Sequence, residues 1–314
     1  MQSIFATDVD EGLSATPKKL SSQYFYDDNG SRIFQQIMAM PEYYLTDREF
    51  EILSTRSKDV HREIGFSGHF NIIELGAGDG TKTKELLANF IEAGADITYV
   101  PIDISEEAIN SLVARMAEML PDLKVNAQVG DYFEVMDEVE AEEDCPNLVL
   151  FLGSNIGNYT DEAALDLLGH INSHMRAGDK LLVGFDLQKE PALIHDAYDD
   201  PHGITRDFNL NLLTRINREL GGGFQLDQFD FYFSYDPQSG EARSYLKSLR
   251  EQTVFIAALQ KQIHFQADEL ISTELSKKYT LSKIEQFAPK SGFQFAAHYL
   301  DSRQHFTDSL YIKT

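Results

Sequence analysis

A glycine-rich turn at the end of an apolar segment is the feature that most constrains how this chain can fold. The segment Phe70–Leu75 is mostly apolar, and Gly76, Gly78 and Gly80 follow it at alternate positions. Glycine lets the backbone turn sharply and approach a ligand closely. A helical pattern begins directly after the third glycine. The stretch therefore predicts a buried strand, a tight turn and a helix, which is the repeating unit of an α/β sheet.

The glycine spacing also limits which ligand this turn would bind. A dinucleotide-binding fingerprint needs a further glycine at position 81, where this chain has Thr81. The pattern Glu-Leu-Gly-x-Gly-x-Gly suits a smaller adenosine ligand without a pyrophosphate, and S-adenosylmethionine is the leading candidate. The first interpretation is therefore a methyltransferase. A strand, turn and helix that bind no ligand remain the alternative for this motif taken alone.

Strand and helix patterns alternate from about residue 70 to 188. The predicted strands are 70–75, 97–102, 124–129, 147–152 and 180–185. The predicted helices between them are 81–93, 105–119 and 160–175. Such alternation predicts a parallel sheet that is covered by helices on both faces. Ligands of such sheets bind beyond the carboxyl ends of the strands.

The alternation stops after residue 187 and resumes near the carboxyl end of the chain. Helical patterns at 190–198 and 204–219 precede strand-like runs at 229–235, 242–257 and 261–266. These runs, with the turn residues between the first two, predict an antiparallel unit inserted into the α/β pattern. A helix at 281–290 and strands at 293–300 and 309–313 would then complete a seven-stranded sheet.

The expected architecture is an α/β fold with a seven-stranded Rossmann-like sheet, an inserted α+β lobe and a helical N-terminal segment. We expect the cofactor-binding domain to comprise 62–188 plus 281–314. The substrate-binding lobe is expected to comprise 1–61 plus 189–280.

The charge of the chain limits its partners. There are 51 acidic and 27 basic residues, which give a formal net charge of −24. Such a surface repels nucleic acid and anionic membranes, so we expect neither as a partner. The single cysteine, Cys145, excludes an intramolecular disulfide. Without an apolar leader or a long apolar window in the sequence, we expect a cytoplasmic protein, and a monomer.

Polar residues at successive strand ends form the candidate cofactor site. Asp103 ends the second predicted strand, where an acid can accept hydrogen bonds from both ribose hydroxyls. Asp131 and Tyr132 follow the third strand and would meet the adenine amino group and ring. Asn155 and Asn158 follow the fourth strand, where a methyl acceptor should face the sulfonium. Each residue alone could be a helix cap or turn residue, but their joint placement favours a site.

Other chemistries find little support in the sequence. His170 and His174 stand four residues apart, but a zinc-protease helix needs Glu where the chain has Ile171. We therefore expect no metal site. The run Gly153-Ser154-Asn155 lacks the G-x-S-x-G turn of serine hydrolases. A side-chain carbonyl such as that of Asn158 could instead hold a neutral amine in line with the methyl group, which needs neither metal nor covalent intermediate.

Several longer motifs resemble those of a known family, the histidine-specific Nα-methyltransferases of ergothioneine biosynthesis, which form hercynine. The similarity extends over nearly the whole chain. The motifs are Phe25-Tyr26-Asp27-Asp28-Asn29-Gly30-Ser31, Pro41-Glu42-Tyr43-Tyr44-Leu45-Thr46, Glu74-Leu75-Gly76-Ala77-Gly78, Phe151-Leu152-Gly153-Ser154-Asn155-Ile156-Gly157-Asn158, Ala197-Tyr198-Asp199-Asp200, Phe208-Asn209, Ile216-Asn217-Arg218-Glu219-Leu220-Gly221 and Thr273-Glu274-Leu275-Ser276-Lys277-Lys278-Tyr279. The resemblance implies a class I methyltransferase fold and S-adenosyl-L-methionine as cofactor.

The resemblance also implies a role for individual residues. The implied cofactor-binding residues are Gly76, Lys82, Asp103, Asp131 and Tyr132. The implied substrate-binding residues are Tyr43, Gly153, Asn158, Tyr198, Ser244, Glu274 and Ser276. Tyr26 would line the methyl-transfer point, and Tyr26 and Asn158 would be the catalytic residues. Glu274 and Ser276 would bind the two nitrogens of an imidazole ring, which amino acids without them could not satisfy.

One position departs from the family. The family's histidine enzymes place Met where this chain has Ser244, so the pocket is expected to be wider or more polar. The leading hypothesis is Nα-methylation of L-histidine to the trimethylated betaine, hercynine. Methylation of another aromatic or histidine-derived amine is the alternative within the same class. A cofactor-binding protein without catalytic activity is the alternative outside it.

Overall fold

The computed structural model describes residues 3–130, 135–136 and 145–314. The chain divides into two compact units. One, here the insert unit, comprises Met1–Tyr44 and Lys189–Lys277. The other, here the sheet unit, comprises Leu45–Gln188 and Lys278–Thr314.

The helices begin after a capping side chain in five of ten cases within the described residues. In the described residues they are α1 Ile4–Ser14, α2 Asp28–Met38, α3 Tyr44–Thr55, α4 Ser57–Ile64, α5 Thr83–Glu92, α6 Glu106–Met119, α7 Asp161–Ser173, α8 Pro191–Tyr198, α9 Ile204–Leu220 and α10 Leu281–Lys290. Ser105 and Thr160, which the sequence predicts as first helical residues, are N-caps whose hydroxyls accept from backbone N–H groups three residues ahead. The helix predicted at 281–290 has those bounds.

The strands fall close to the predicted apolar runs. They are β1 Lys18–Lys19, β2 Phe70–Leu75, β3 Ile97–Asp103, β4 Lys124–Val125, β5 Gln128–Val129, β6 Asn147–Phe151, β7 Lys180–Asp186, β8 Phe229–Asp236, β9 Glu241–Ser248, β10 Gln252–Ile256, β11 Lys261–Phe265, β12 Leu270–Lys277, β13 Phe293–Leu300 and β14 Phe306–Lys313. The predictions of single strands over 124–129 and over 242–257 are wrong. The first range contains two short strands, β4 and β5, and in the second the chain turns between β9 and β10.

The main sheet confirms the Rossmann-like prediction. Its strand order is β13-β14-β7-β6-β2-β3-β4, and β5 also pairs with β3. Because β4 and β5 lie along the same edge of β3, the sheet has seven strand positions. Strands β2, β3, β6 and β7 run parallel, whereas β14 is antiparallel to its neighbours β7 and β13.

The strand order fixes where a ligand can bind in the sheet unit. Strand β2 pairs with β3 on one side and with β6 on the other, so the order reverses at β2. Such a switch point opens a crevice at the carboxyl ends of the strands. The glycine turn follows β2 there, and Gly153 follows β6. Strands β2 and β6 are buried along their whole length, as expected for a sheet covered on both faces.

The insert unit is built on a smaller sheet with strand order β1-β12-β9-β8. Strand β12, which the sequence analysis does not predict, pairs antiparallel with β9, and β9 pairs antiparallel with β8. Strands β10 and β11 form a separate antiparallel pair. Helix α9 packs its apolar side into this unit's core through residues such as Phe208, Leu212 and Ile216.

Among the residues described, no helix is both long and apolar enough to cross a membrane. The cytoplasmic location and the monomeric state stay predictions.

Candidate functional site

The glycine turn after β2 has a backbone that only glycine adopts easily. Gly76, Gly78 and Gly80 have φ angles of 70°, 55° and 68°, in the left-handed region. A Cβ placed on Gly76 or Gly78 would meet no atom of the described residues within 4 Å, so these residues leave open space in front of the turn. A Cβ on Gly80 would instead come within 2.5 Å of the Met116 side chain. The turn therefore has room for a ligand at its first two glycines and packs against helix α6 at the third.

Glu74, the residue two positions before Gly76, forms buried hydrogen bonds that stabilise the turn. Its carboxylate accepts a hydrogen bond of 2.5 Å from the Thr83 hydroxyl, at the start of α5, and another from the Tyr99 hydroxyl on β3. Burial raises the pKa of Glu74 to about 7, although both hydrogen bonds favour the ionised form. Glu74 therefore links three elements of the sheet unit around the turn.

Lys82 provides a positive charge beside the turn. Its Nζ forms an ion pair with Glu49 on α3, and 28% of its side chain is exposed. Burial lowers the pKa of Lys82, but the Glu49 carboxylate outweighs burial, and the pKa is raised above its ordinary value. The second oxygen of Glu49 accepts a 2.6 Å hydrogen bond from the Gly153 N–H. An accessible, permanently charged ammonium at this position suits the carboxylate of a ligand.

Glu49 joins two predicted site residues, Lys82 and Gly153, but is not itself predicted from the sequence. A signal for it exists in the sequence. Leu45, Ile52 and Leu53 form the buried stripe of helix α3, and Glu49 occupies the position of that stripe between them. A carboxylate on an apolar stripe needs a buried partner, which indicates a polar network rather than a solvated face.

Asp103 lies at the carboxyl end of β3, as predicted. One of its carboxylate oxygens accepts a 2.9 Å hydrogen bond from the Ser105 N–H, so Asp103 also shapes the turn into α6. An ionised carboxylate has about four lone-pair sites, so this bond does not exhaust its capacity to accept ribose hydroxyls. Asp131 and Tyr132, the predicted adenine-binding residues, lie outside the residues that the structure describes.

The loop after β6 carries Asn158 at the end of a short 3₁₀ helix, Asn155–Asn158. Ser154 precedes it with a φ of 57°, a strained conformation for a residue with a side chain. The Ser154 hydroxyl accepts a 3.1 Å hydrogen bond from the Asp186 N–H, and the Asp186 carboxylate forms a fully buried ion pair of 2.8 Å with Lys278. These contacts hold in place the loop that presents Asn158, whose surface is exposed.

The predicted aromatic residues of the insert unit lie close together. The rings of Tyr43 and Tyr198 are 6.2 Å apart between centroids, and Tyr43 lies 6.2 Å from Phe34. Phe34 in turn contacts Tyr26 edge-on at 5.3 Å, and Phe208 contacts Tyr26 at 5.7 Å. Edge-to-face packing of this kind orients each ring relative to its neighbours.

Tyr26 is accessible to solvent and yet lies among many protein atoms. The residue is 52% exposed, and burial, together with the nearby charge of Glu274, raises the pKa of its hydroxyl. A group that is both accessible and surrounded by protein lies in a recess. The raised pKa keeps Tyr26 protonated at neutral pH, so it can donate or accept a hydrogen bond but does not carry a charge.

The residues after Tyr26 have a structural role. The Asp27 carboxylate caps α2 by accepting a 2.8 Å hydrogen bond from the Gly30 N–H. It also accepts hydrogen bonds of 2.7 Å from Asn211 and from Arg218 on α9. The conspicuous N-terminal motif therefore fastens α2 to α9, and this attachment places Tyr26.

Polar predicted residues meet on one face of the small sheet. The Ser244 hydroxyl on β9 donates a 3.3 Å hydrogen bond to the Glu274 carboxylate on β12. The hydroxyls of Tyr198 and Ser276 are hydrogen-bonded at 2.8 Å, and both residues are buried. Tyr198 also stacks on Phe233 of β8 at 5.5 Å. The structure thus brings together Tyr43, Tyr198 and Ser276, and separately Ser244 and Glu274.

The sheet unit offers the groups that S-adenosylmethionine requires. The open glycine turn would let the backbone approach the ligand closely. The Lys82 ammonium would bind the carboxylate of the ligand, and the Asp103 carboxylate would accept hydrogen bonds from its ribose hydroxyls. In the described part of the chain, no group of three or more His, Cys, Asp or Glu is arranged to hold a metal ion.

Comparisons with known proteins agree with this chemistry. The sequence profile of a family described as histidine-specific methyltransferase, SAM-dependent, matches residues 5–313. Histidine N-alpha-methyltransferase of Mycolicibacterium smegmatis is 33% identical over 98% of this chain and 94% of its own length. Ergothioneine biosynthesis protein 1 of Schizosaccharomyces pombe is 30% identical over 90% of this chain, which spans 37% of that protein. L-tryptophan methyltransferase trpM of Psilocybe serbica is 26% identical over 94% of this chain and 89% of that protein.

The class I sheet order, the glycine turn and a profile match over nearly the full length agree with one another. The chain is an S-adenosylmethionine-dependent N-methyltransferase and belongs to the histidine-specific methyltransferase family.

Proposed function

We propose that this enzyme methylates the α-amine of free L-histidine three times, giving hercynine, in the first step of ergothioneine biosynthesis. The relatives named for histidine methylation and for ergothioneine biosynthesis support this assignment. The observation that carries it is the placement of Glu274 and Ser276 two residues apart on one face of β12.

The two side chains match a neutral imidazole ring. Neutral imidazole has one N–H donor and one acceptor nitrogen. The Glu274 carboxylate accepts from the N–H, and the Ser276 hydroxyl donates to the other nitrogen while it accepts from the Tyr198 hydroxyl. Same-face residues two apart on a strand are about 6.6 Å apart, which leaves room for a small ring with a hydrogen bond at each end. A side chain lacking either nitrogen would leave a polar group of this site without a partner.

Other residues of the proposed site hold the amino-acid backbone. Tyr43 would bind the substrate carboxylate through its hydroxyl. The Tyr198 oxygen, whose proton is donated to Ser276, would accept a hydrogen bond from the α-amine. Asn158, with Gly153 beside it in the loop after β6, would accept from the α-amine hydrogens and align the nitrogen lone pair. Alignment of this kind supplies much of the acceleration in a direct displacement.

Cofactor binding is assigned to the other proposed residues: Gly76, Lys82, Asp103, Asp131 and Tyr132. When bound, S-adenosylmethionine supplies a methyl carbon that already carries its leaving group. The chemistry it would supply is a direct displacement, in which the N–C bond would form as the C–S bond breaks and the sulfur would keep the electron pair. The amine loses one proton before each addition. Because Tyr26 stays a neutral phenol, we assign it to orienting the amine and passing its proton to water, rather than to acting as a phenolate base.

Mass spectrometry of L-histidine incubated with the enzyme and S-adenosylmethionine tests the assignment. We expect products carrying one, two and three added methyl groups, with the trimethylated product accumulating. A panel of tryptophan, phenylalanine and histidine-derived amines, run in parallel, measures acceptor choice. Faster methylation of any other amine than of histidine would contradict the assignment.

A second candidate acceptor is another aromatic amino acid. Ser244, a small residue beside Glu274, would leave space for a larger ring, and one relative in the comparison is named for tryptophan. The same panel separates the two candidates. Methylation of none of these amines would favour the third hypothesis, a cofactor-binding protein without catalysis.

The Glu274→Ala variant tests the imidazole contact. We expect the KM for histidine to rise by about a hundredfold, as expected when a charge-assisted hydrogen bond of about 3 kcal/mol is lost. The KM for S-adenosylmethionine should stay unchanged. An unaltered histidine KM would remove Glu274 from the site.

A further inference from the structure

Strand β12 contains an irregularity directly before Glu274. Ile271 pairs with Leu246 and Ser272 with Tyr245, but Glu274 pairs with Ser244. Thr273 is therefore an extra residue without a partner of its own across the strand pair, which is a β-bulge.

The bulge decides which face of the sheet Glu274 occupies. On β9, Ser244 and Leu246 belong to the buried face, whereas Arg243 and Tyr245 belong to the other. Side chains alternate between faces along a regular strand. Without the bulge, Thr273 would lie opposite Ser244, and Glu274 would lie opposite Arg243 on the other face. With it, Glu274 and Ser276 lie on the face of Ser244.

A buried side-chain hydrogen bond fastens the extra residue. The Thr273 hydroxyl donates to Asn209 Oδ1 on α9 at 2.6 Å. The Asn209 amide in turn donates to the Thr205 carbonyl, one turn earlier in the same helix, at 3.0 Å. Thr273 is 2% exposed and Asn209 is fully buried, so neither group can exchange its partner for water without opening the unit.

We propose that Asn209 and Thr273 are positioning residues for histidine recognition: their hydrogen bond fixes the bulge and so aims Glu274 at the substrate. This inference rests on the proposed role of Glu274. The proposal gives a function to Asn209, whose amide oxygen bonds the bulge residue Thr273 and is not among the predicted substrate-binding groups. Because a slip of one residue reverses every side chain beyond it, one bond at the bulge controls both Glu274 and Ser276.

The Thr273→Val variant removes the hydroxyl and keeps the shape of the side chain. We expect the KM for histidine to rise by about tenfold to a hundredfold, because a displaced Glu274 would lose a charge-assisted hydrogen bond of about 1.5–3 kcal/mol. The KM for S-adenosylmethionine should change by less than about twofold, within the usual scatter of surface effects. Thr273→Ser, which restores a hydroxyl, should recover most of the affinity. Asn209→Ala, which removes the acceptor on the helix side and suits helix propensity, should reproduce the defect of Thr273→Val.

A double-mutant comparison distinguishes an effect on the orientation of Glu274 from a nonspecific effect on the structure. If Thr273 acts through Glu274, the pair Thr273→Val with Glu274→Gln should have the same histidine KM as Glu274→Gln alone. Additive losses in the pair would overturn the proposal, as would an unchanged histidine KM in both Thr273→Val and Asn209→Ala. The matched control is Thr214→Val on the same helix, whose hydroxyl bonds only the Leu210 carbonyl among the contacts found, and whose histidine KM should not change.

The two proposals fail in different ways. A normal histidine KM in Glu274→Gln would refute the role of Glu274 itself. A raised KM in Glu274→Gln with a normal value in Thr273→Val and Asn209→Ala would refute only the positioning role.

Discussion

Ser244 shows how one small side chain sets the chemistry of a recognition site. Its hydroxyl is buried and donates to Glu274 across the strand pair. A carboxylate that receives a hydrogen bond keeps a fixed orientation and stays ionised more readily. A longer apolar side chain here would fill the space but donate nothing. Ser244 therefore exchanges packing for a polar contact to the group that is proposed to bind imidazole.

The Ser244→Ala variant tests this contact. We expect the KM for histidine to rise by about threefold to tenfold, since a hydrogen bond of about 1 kcal/mol is lost. Initial rates at varied histidine and saturating S-adenosylmethionine provide the measurement. Ser248→Ala is the matched control, because Ser248 lies on the same buried face of β9 but bonds the Arg250 carbonyl. Equal changes in histidine KM in the two variants would speak against a specific role for Ser244.

Glu74 stabilises the packing of strand β2 against its neighbours, and its carboxyl group has a different pKa in the folded and the unfolded chain. The buried carboxylate joins β2, α5 and β3, and its pKa is raised from 4.5 to about 7 by burial. Below about pH 4.5 the group is protonated in both states. Between about pH 4.5 and pH 7 the folded chain binds the proton of Glu74 more tightly than the unfolded chain does. The contribution of Glu74 to the free energy of unfolding is therefore lost as the pH rises to about 7.

The Glu74→Gln variant should remove this pH dependence. Relative to the variant, the wild type should lose on the order of 1–3 kcal/mol of unfolding free energy between about pH 5 and pH 8. Urea unfolding at several pH values measures the difference. Glu118→Gln, at an exposed position on α6, is the control and should follow the wild-type profile. Parallel profiles for the wild type and Glu74→Gln would show that Glu74 has an ordinary pKa in the fold.

Helix α3 shows a limit on what the sequence of one element predicts about its contacts. Its apolar stripe is visible in the sequence, which predicts a helical N-terminal segment but not the bounds of α3, and the stripe includes Glu49. What Glu49 bonds depends on the residues that follow β6 and precede α5, which lie far away in the sequence. Lys82 and Gly153 are therefore predicted from the sequence as separate site residues, whereas the carboxylate that connects them is not.

At the scale of the whole molecule, ligand binding and folding are coupled. A ligand that binds only the folded chain stabilises it by about 2.7 kcal/mol at a hundredfold excess over its Kd. The proposed cofactor residues follow β2, end β3 and come after β5 in the sequence, so their contacts would join distant parts of the sheet unit. Thermal unfolding of the whole chain therefore reports on cofactor binding without turnover.

S-adenosylhomocysteine should raise the Tm of the wild type and raise that of Asp103→Ala much less. The loss of two ribose hydrogen bonds should weaken binding by about tenfold to a hundredfold. Differential scanning fluorimetry with a titration of the ligand measures both shifts. Asp122→Ala, an exposed acid in the turn after α6, is the matched control and should keep the wild-type shift. A full shift in Asp103→Ala would remove Asp103 from the cofactor site.

The sequence alone determined most strands of the main sheet, although the strand predicted at 124–129 forms two short strands, β4 and β5, and β14 begins at Phe306 rather than at residue 309. The strands at 70–75 and 293–300 and the helix at 281–290 have the predicted bounds, because apolar periodicity, glycines and caps act over a few residues. The family motifs further predict Glu274, Ser276 and Tyr198 as site residues, and their role stays a prediction.

Only the tertiary structure decided which way Glu274 faces. Regular alternation from Ile271 puts Thr273 on the inner face and Glu274 on the outer one, and no local pattern indicates the extra residue at Thr273. The bulge is fixed by pairing with β9 and by Asn209, which lies 64 residues earlier in the chain. Local sequence sets the conformation that each segment prefers, whereas the register between strands is set by contacts that exist only after the chain has folded.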